Sequence, residues 1–123
     1  MGGKERGMRL RELIEFFGLE VAAGANGLDR EVKEGYCGDL LSEVMANAPL
    51  SCVWLTVQGH QNIVAVAVLR EMAAVVVTGG RSPERETLAR ADQEGIPILK
   101  WPRSAFELAG KLYTAGVGGE PAE

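Results

Sequence analysis

The stretch Cys52–Gly80, CVWLTVQGHQNIVAVAVLREMAAVVVTGG, constrains the fold of this chain more than any other feature. Within it, Val53–Val57 and Ala74–Thr78 are short apolar runs rich in β-branched residues, which favour buried strands. The 16 residues between these runs are too many for a hairpin and enough for a crossover helix. The sequence therefore predicts a βαβ unit with two parallel strands and a right-handed connection.

The crossover helix is predicted over His60–Met72, although its run Ile63–Leu69 is apolar on every face and would also suit a strand. A helix that is apolar all round must be covered on both sides. Because 123 residues leave little material for the second side, we expect a homodimer with this helix at the interface. The alternative is complete burial within one chain. The residues expected at the interface are Ile63, Val64, Val66 and Ala67.

Two further helices are predicted in the first half of the chain from apolar residues at helical spacing. The first covers Arg9–Phe17 and ends at Gly18, a residue type that favours the left-handed conformation after a helix. The second begins with Asp39 as its N-cap and ends before Pro49.

Two more helices are predicted after the central unit. The motif Ser82-Pro83-Glu84 indicates a helix start, with serine as N-cap and proline in the first helical position, and the helix runs to Glu94. The last helix follows a capping box formed by Ser104 and Glu107. Its predicted buried stripe consists of Phe106, Ala109, Leu112 and Tyr113.

Shorter strands are predicted over Glu20–Ala23, Leu28–Gly38 and Ile96–Leu99. From Cys52 onward the element order is β-α-β-α-β-α, so the predicted fold class is α/β, with three α/β/α layers and a mostly parallel sheet. The length predicts one domain, over residues 8–117, with flexible termini at 1–7 and 118–123.

Composition disfavours several classes of partner. The net charge of −4 argues against nucleic acid, and no apolar run approaches the length of a membrane span, so we expect a cytoplasmic protein. Cys37 and Cys52 form no CxxC motif and are expected to be reduced and buried. With His60 as the single histidine, the sequence predicts neither a metal site nor a cofactor.

Polar residues follow three of the predicted strands, at the edge of the sheet where α/β proteins bind ligands. Glycine N–H groups, a helix start and two cations at this edge suit a small anion or a nucleotide. The alternative is that Thr-Gly-Gly is an ordinary turn between a strand and a helix. The candidate ligand-binding residues are Gln58, His60, Asn62, Thr78, Gly79, Gly80, Arg81 and Lys100.

Catalytic machinery is not predicted. His60 could serve a small enzyme as a general base beside Asn62, but the alternative is a loop histidine that binds the backbone near a helix start. Asp39 is interpreted as a cap rather than a catalytic acid. Trp54 is expected in the core, whereas Trp101 is expected to be partly exposed and able to stack on a ligand or line an interface.

The run GDLLSEVM…VWLTVQGHQNIVAVAVL…AAVVVTGGRSPERETL…EGIPIL…SAFELAGKLY resembles the DRTGG domain family, in particular its short stand-alone bacterial members. Thr78-Gly79-Gly80 matches the motif that names the family, while Val76-Val77 stand where Asp-Arg would be. The resemblance implies a fold similar to the N-terminal domain of HPr kinase/phosphorylase, without a kinase P-loop. It also implies a regulatory, dimer-forming role, as in related domains of phosphotransacetylases and CBS-containing pyrophosphatases.

The leading hypothesis from the sequence is therefore a non-enzymatic regulatory module that acts as a homodimer and binds a small anionic ligand, a nucleotide or a regulatory partner protein. Two alternatives stay open: a small enzyme that uses His60 and Asn62 beside the loop Thr78–Arg81, and a purely structural dimerisation domain without a ligand.

Overall fold

The computed structural model describes residues 8–118, which form seven strands, five helices and one 3₁₀ turn at Ala25–Gly27. The strands are β1 (Met8–Arg9), β2 (Glu20–Ala23), β3 (Glu31–Val32), β4 (Glu34–Cys37), β5 (Cys52–Thr56), β6 (Ala74–Val77) and β7 (Ile98–Lys100). The helices are α1 (Leu10–Phe17), α2 (Leu41–Asn47), α3 (Asn62–Leu69), α4 (Arg85–Glu94) and α5 (Ala105–Thr114). Of the termini predicted to be flexible, 1–7 and 119–123 lie outside the described residues.

Five strands form one sheet in the order β2-β7-β6-β5-β4, and β1 pairs separately with β3. The neighbours from β4 to β7 are parallel, whereas β2 runs antiparallel to β7 at one edge. The central βαβ prediction is confirmed, because β5 and β6 are parallel and α3 connects them. The predicted α/β class with three layers and a mostly parallel sheet is also confirmed.

The two faces of the sheet carry separate cores. Successive residues of β5 point to opposite faces, as strand geometry requires, so Trp54 lies in one core and Leu55 in the other. Helices α2, α3 and α4 cover the face that contains Trp54. Helices α1 and α5 cover the opposite face.

The α3 interface was predicted because a chain of this length was expected to be too short to cover both sides of the helix, and that expectation was wrong. Ile63, Val64, Val66 and Ala67 are between 0% and 6% exposed within a single chain. The chain does have enough material to cover α3, because α2 and α4 pack on its two flanks above the sheet. These four side chains therefore have almost no surface left to offer a second copy, and a homodimer needs another surface.

Two predicted helix caps were wrong. Asp39 does not cap α2, whose N-cap is Leu40, because the Asp39 carboxylate binds the end of β5 instead. Helix α4 begins at Arg85 rather than Pro83, with Glu84 as its N-cap. The backbone N–H of Glu84 donates to the carbonyl of Gly59, which holds this segment extended before the helix can begin.

Three predictions of burial were also wrong. In α5 the buried residues are Leu108 and Leu112, so Phe106 and Tyr113 point to solvent. Trp101 is buried, and its indole N–H donates to the carbonyl of Ser104 at 3.0 Å. Cys37 is exposed on β4, while Cys52 is buried as predicted.

A single segment passes along the amino ends of the parallel strands, between β2 at one edge of the sheet and β4 at the other. At its middle, the guanidinium of Arg30 donates to the carbonyl of Met72 at 3.1 Å and to that of Gly95 at 2.8 Å. Further along, the backbone N–H of Lys33 donates to the carbonyl of Ser51 at 2.9 Å. We refer to residues 24–33 as the strap.

Candidate functional site

The sheet brings all eight predicted ligand-binding residues to one edge, where the parallel strands end. The loop after β5 supplies Gln58, His60 and Asn62, the turn after β6 supplies Thr78–Arg81, and β7 ends with Lys100. Since β5, β6 and β7 are neighbours, these three segments lie side by side in that order. We call this set of loops the carboxyl edge.

Asp39 organises the first part of the carboxyl edge. One oxygen of its carboxylate, Oδ1, accepts from the hydroxyl of Thr56 at 2.8 Å and from the backbone N–H of Val57 at 2.9 Å. The side-chain amide of Gln58 returns to the backbone carbonyl of Asp39 at 2.9 Å. Gln58 is therefore engaged in tying the loop after β4 to the loop after β5, a role that its sequence position did not disclose.

His60 performs the structural role that was the alternative to catalysis. Its Nδ1 accepts a hydrogen bond from the backbone N–H of Asn62 at 3.0 Å, at the first residue of α3. The first N–H groups of a helix have no partner inside the helix, so this bond satisfies one of them. His60 and Asn62 are both exposed, and the imidazole presents its other nitrogen, Nε2, as the remaining polar atom.

The loops after β5 and β6 are locked together at Gly59. Its carbonyl accepts from the backbone N–H of Glu84 at 3.0 Å and from the hydroxyl of Thr87 at 2.6 Å. A Cβ at position 59 would lie 3.2 Å from Pro83 Cα and 3.2 Å from the Ser82 carbonyl oxygen, so any larger residue would push this backbone away by a few tenths of an ångström. The Gly59 carbonyl therefore links the loop after β5 to the segment that leads into α4.

The turn Thr78–Arg81 was expected to bind an anion through the backbone N–H groups of its glycines, but these N–H groups already have partners. The backbone N–H of Gly79 donates to the carbonyl of Arg103 at 2.7 Å, and that of Gly80 donates to the carbonyl of Trp101 at 3.2 Å. These donors were predicted to face an anion, but they join the turn to the segment after β7 instead. Both glycines have φ near +73°, which explains why the turn needs them.

The cations of the carboxyl edge remain accessible. Arg81 is exposed, and Lys100 is half-buried, with its ammonium 3.5 Å from the hydroxyl of Ser82. An ammonium has three donors, so this contact leaves Lys100 two for a ligand. Thr78 offers little, because its side chain is 1% exposed and its backbone N–H donates to the carbonyl of Thr56.

Neither cysteine has the character of a catalytic thiol. Burial raises the pKa of the Cys52 thiol to about 12. Although the Cys37 residue is exposed overall, partial desolvation of its sulfur raises the pKa of the thiol, with a smaller contribution from the negative charge of Asp39. A thiol must ionise to act as a nucleophile, so both shifts lower the reactivity of these residues at neutral pH.

Three cavities lie away from the carboxyl edge. One of about 470 Å³ lies at the amino ends of the strands, beside Arg30 and Met72. One of about 770 Å³ lies between α1 and α5, and one of about 190 Å³ lies between β4 and α5. None of the three is lined by the predicted ligand-binding residues.

Among residues 8–118, no group of three or more histidine, cysteine or carboxylate side chains is arranged to hold a metal ion. Within the same range, no helix has the length and apolar character needed to cross a membrane. The buried side-chain nitrogen and oxygen atoms of this range all have hydrogen-bond partners.

No protein-family model matches the chain, and no curated protein is similar to it in sequence. Among solved structures, the chain is similar to the CBS and DRTGG domains of the regulatory region of Clostridium perfringens pyrophosphatase, crystallised with the activator diadenosine tetraphosphate. The TM-score is 0.63 and the sequence identity is 15%, over 89% of this chain. The match covers 47% of the pyrophosphatase chain, so the present chain spans about half its length. At this identity the likeness shows a shared fold, which agrees with the DRTGG-like fold expected from the sequence.

Proposed function

We propose that this chain is a regulatory, ligand-sensing module of the DRTGG type, not an enzyme, and that it binds an anionic ligand of the nucleotide class at its carboxyl edge. We further propose that it consists of one domain over residues 8–117, that it acts as a homodimer in the cytoplasm, and that it passes the bound state to a partner protein.

One observation carries the proposal. Arg81 and Lys100 come from neighbouring segments and lie together at the carboxyl edge. The chain shares its fold with a regulatory region that was crystallised with the activator diadenosine tetraphosphate. Cations at the carboxyl ends of parallel strands suit the phosphates of such a ligand. Binding is favoured over catalysis because the Nδ1 atom of His60 already accepts a hydrogen bond from the backbone, and because the pKa values of both thiols are raised.

The mode of binding differs from a phosphate-binding glycine loop. Because the N–H groups of Gly79 and Gly80 already have partners, the side chains of Arg81 and Lys100 supply the donors. The His60 imidazole adds a third polar group from the loop after β5. A phosphate held by these groups bridges the loops that follow β5, β6 and β7, and its binding therefore tightens the whole edge.

The test is calorimetry and thermal unfolding of the full chain with diadenosine tetraphosphate, ATP and inorganic pyrophosphate. A ligand at 100 times its dissociation constant should add about 2.7 kcal/mol to the free energy of unfolding. Arg81→Ala and Lys100→Ala should each weaken binding by about tenfold or more, because each removes a charge-assisted hydrogen bond.

Arg11→Ala is the matched control, since Arg11 is an exposed arginine near the start of α1, by the opposite end of the sheet. It should leave binding unchanged. Two results contradict the proposal: no stabilisation by any of the three compounds, or their conversion to products that His60→Ala abolishes while the protein stays folded.

A further inference from the structure

The outer face of α5 carries large apolar side chains that residues 8–118 do not cover. Phe106 is 90% exposed and Tyr113 is 64% exposed, although the inner face of the same helix already supplies Leu108 and Leu112 to the core. On the neighbouring helix α1, Phe16 is 72% exposed. Isolated apolar residues are common on protein surfaces, but aromatic residues grouped on adjacent helices mark an interaction site.

Phe16 and Phe106 border a groove of about 770 Å³ between α1 and α5, whereas Tyr113 borders the smaller cavity between β4 and α5. Its walls are mainly apolar and include Phe16 and Phe17 from α1 together with Phe106 and Gly110 from α5. The charged groups that line it are Glu107 and Lys111, which have opposite sign and lie four residues apart on α5. We call this groove, with the outer face of α5, the α1–α5 surface.

Gly110 lies in the middle of α5, where a glycine weakens the helix relative to alanine. None of the described residues requires it, because within residues 8–118 a Cβ at position 110 would meet no atom within 4 Å. Its helical position is near that of Phe106 on the outer face, since residues four apart lie one above the other. A glycine there allows the backbone of another helix to approach closely.

The segments of this chain outside the described residues do not suit the groove. Residues 1–7, MGGKERG, are mostly glycine and charged residues, and residues 119–123, GEPAE, are equally poor in large apolar side chains. A second copy of the α1–α5 surface is complementary to the first in apolar character and in charge. It offers aromatic side chains to an apolar groove, and in an antiparallel arrangement about Gly110 it brings Lys111 of each α5 within one helical turn of Glu107 of the other, whose carboxylate also accepts from Arg103 at 2.8 Å.

We propose that the α1–α5 surface is the contact between two copies of this chain, formed by antiparallel packing of the two α5 helices about a twofold axis near Gly110. In this arrangement Phe106 of each copy falls beside Thr114 of the other and enters the groove there, because positions equally distant from the axis face each other. The proposal supplies a surface for the homodimer suggested above and requires no ligand.

The exposed aromatic side chains supply a large part of the area that such a contact needs. Phe16, Phe106 and Tyr113 together expose on the order of 400 Å², given that aromatic residues bury 150–250 Å² each when fully covered. That is about half of the ~800 Å² per partner found in standard interfaces.

The test is analytical ultracentrifugation of the full chain without ligand, from about 1 µM to about 1 mM. The wild-type chain should form dimers, and Phe106→Glu should weaken the dimer about 100-fold or more, because the change is present twice in a symmetric contact. Gly110→Gln should also weaken the dimer, yet it should raise the melting temperature of the monomer, because glutamine is the better helix former.

Leu40→Glu is the matched control, because Leu40 is also largely exposed but lies at the start of α2, on the opposite face of the sheet. It should leave the dimer unchanged. A chain that stays monomeric over the whole concentration range overturns the proposal and assigns the groove to a different partner. A dimer that withstands both Phe106→Glu and Gly110→Gln overturns it as well.

Discussion

Replacing Asp39 by alanine tests the network that organises the carboxyl edge. The change removes one carboxylate oxygen that accepts two hydrogen bonds, from the Thr56 hydroxyl and the Val57 backbone N–H. Val57 is at the surface, so its N–H regains a bond to water, whereas the Thr56 side chain is 1% exposed and its hydroxyl loses its acceptor. We expect the free energy of unfolding to fall by about 2 kcal/mol, near the lower end for bonds to a charged group.

A double-mutant cycle with Thr56→Val isolates the bond itself. Thr56→Val removes the hydroxyl without changing the shape of the side chain, so the coupling between the two changes should be about 1 kcal/mol. Urea unfolding followed by tryptophan fluorescence suits this measurement, because the indole N–H of Trp54 donates to the carbonyl of Gly38 beside the network.

The control is Glu15→Ala, which removes an exposed carboxylate from α1 and should change the free energy of unfolding by less than about 0.5 kcal/mol. The reasoning fails if Asp39→Ala costs no more than this control. It also fails if the coupling with Thr56→Val is below about 0.3 kcal/mol, since distant independent sites show that much.

Three further predictions concern the stability of the fold at buried positions. Leu108→Ala should cost about 2–5 kcal/mol in urea unfolding and Phe106→Ala should cost far less, which reverses the pattern expected from the sequence. Gly24→Ala should destabilise the fold strongly in the same assay, because its φ is +73° and the added Cβ would overlap a backbone carbonyl ahead of β7. Stability should fall as the pH rises from about 9 toward 12, because the Cys52 thiol ionises first in the unfolded chain; Cys52→Ala should remove this component in a comparison of unfolding curves.

The architecture could be predicted because the signals that specify it are local. The β-branched runs of β5 and β6 and the spacing between them define a parallel pair without reference to the rest of the chain. Gly18 ends α1 with φ of +71°, as its position after an amphipathic run predicts. The placement of the site residues followed directly, since parallel strands deliver their carboxyl ends to one edge.

Two of the failures, at Asp39 and at Gly79-Gly80, share a physical cause, which is competition from distant partners. Asp39 is a good N-cap by residue type, but the end of β5 offers its carboxylate two donors at once. The N–H groups of Gly79 and Gly80 would suit an anion, but they donate to backbone carbonyls in the segment that follows β7. Sequence patterns report what a group can do, and the tertiary structure decides which partner it meets.

The stripe of α5 failed for a different reason. Ala109 and Leu112 belong to both the predicted and the observed inner face, so helical spacing alone left two rotations of the helix open. The prediction took the rotation that buries Phe106 and Tyr113. Burying aromatic residues removes the most apolar area from water, which favours such a rotation. If the α1–α5 surface joins two copies, that preference is satisfied between chains instead of within one.

The strap couples the local unfolding of the two edges of the sheet. Strands β2 and β4 lie at opposite edges of the sheet, yet they belong to one continuous segment that is anchored near its middle by Arg30. Releasing that guanidinium leaves the carbonyls of Met72 and Gly95 without their partner, so loosening the strap weakens both edges. In native-state hydrogen exchange the amides of β2 and β4 should therefore open as one cooperative unit, although three strands separate them.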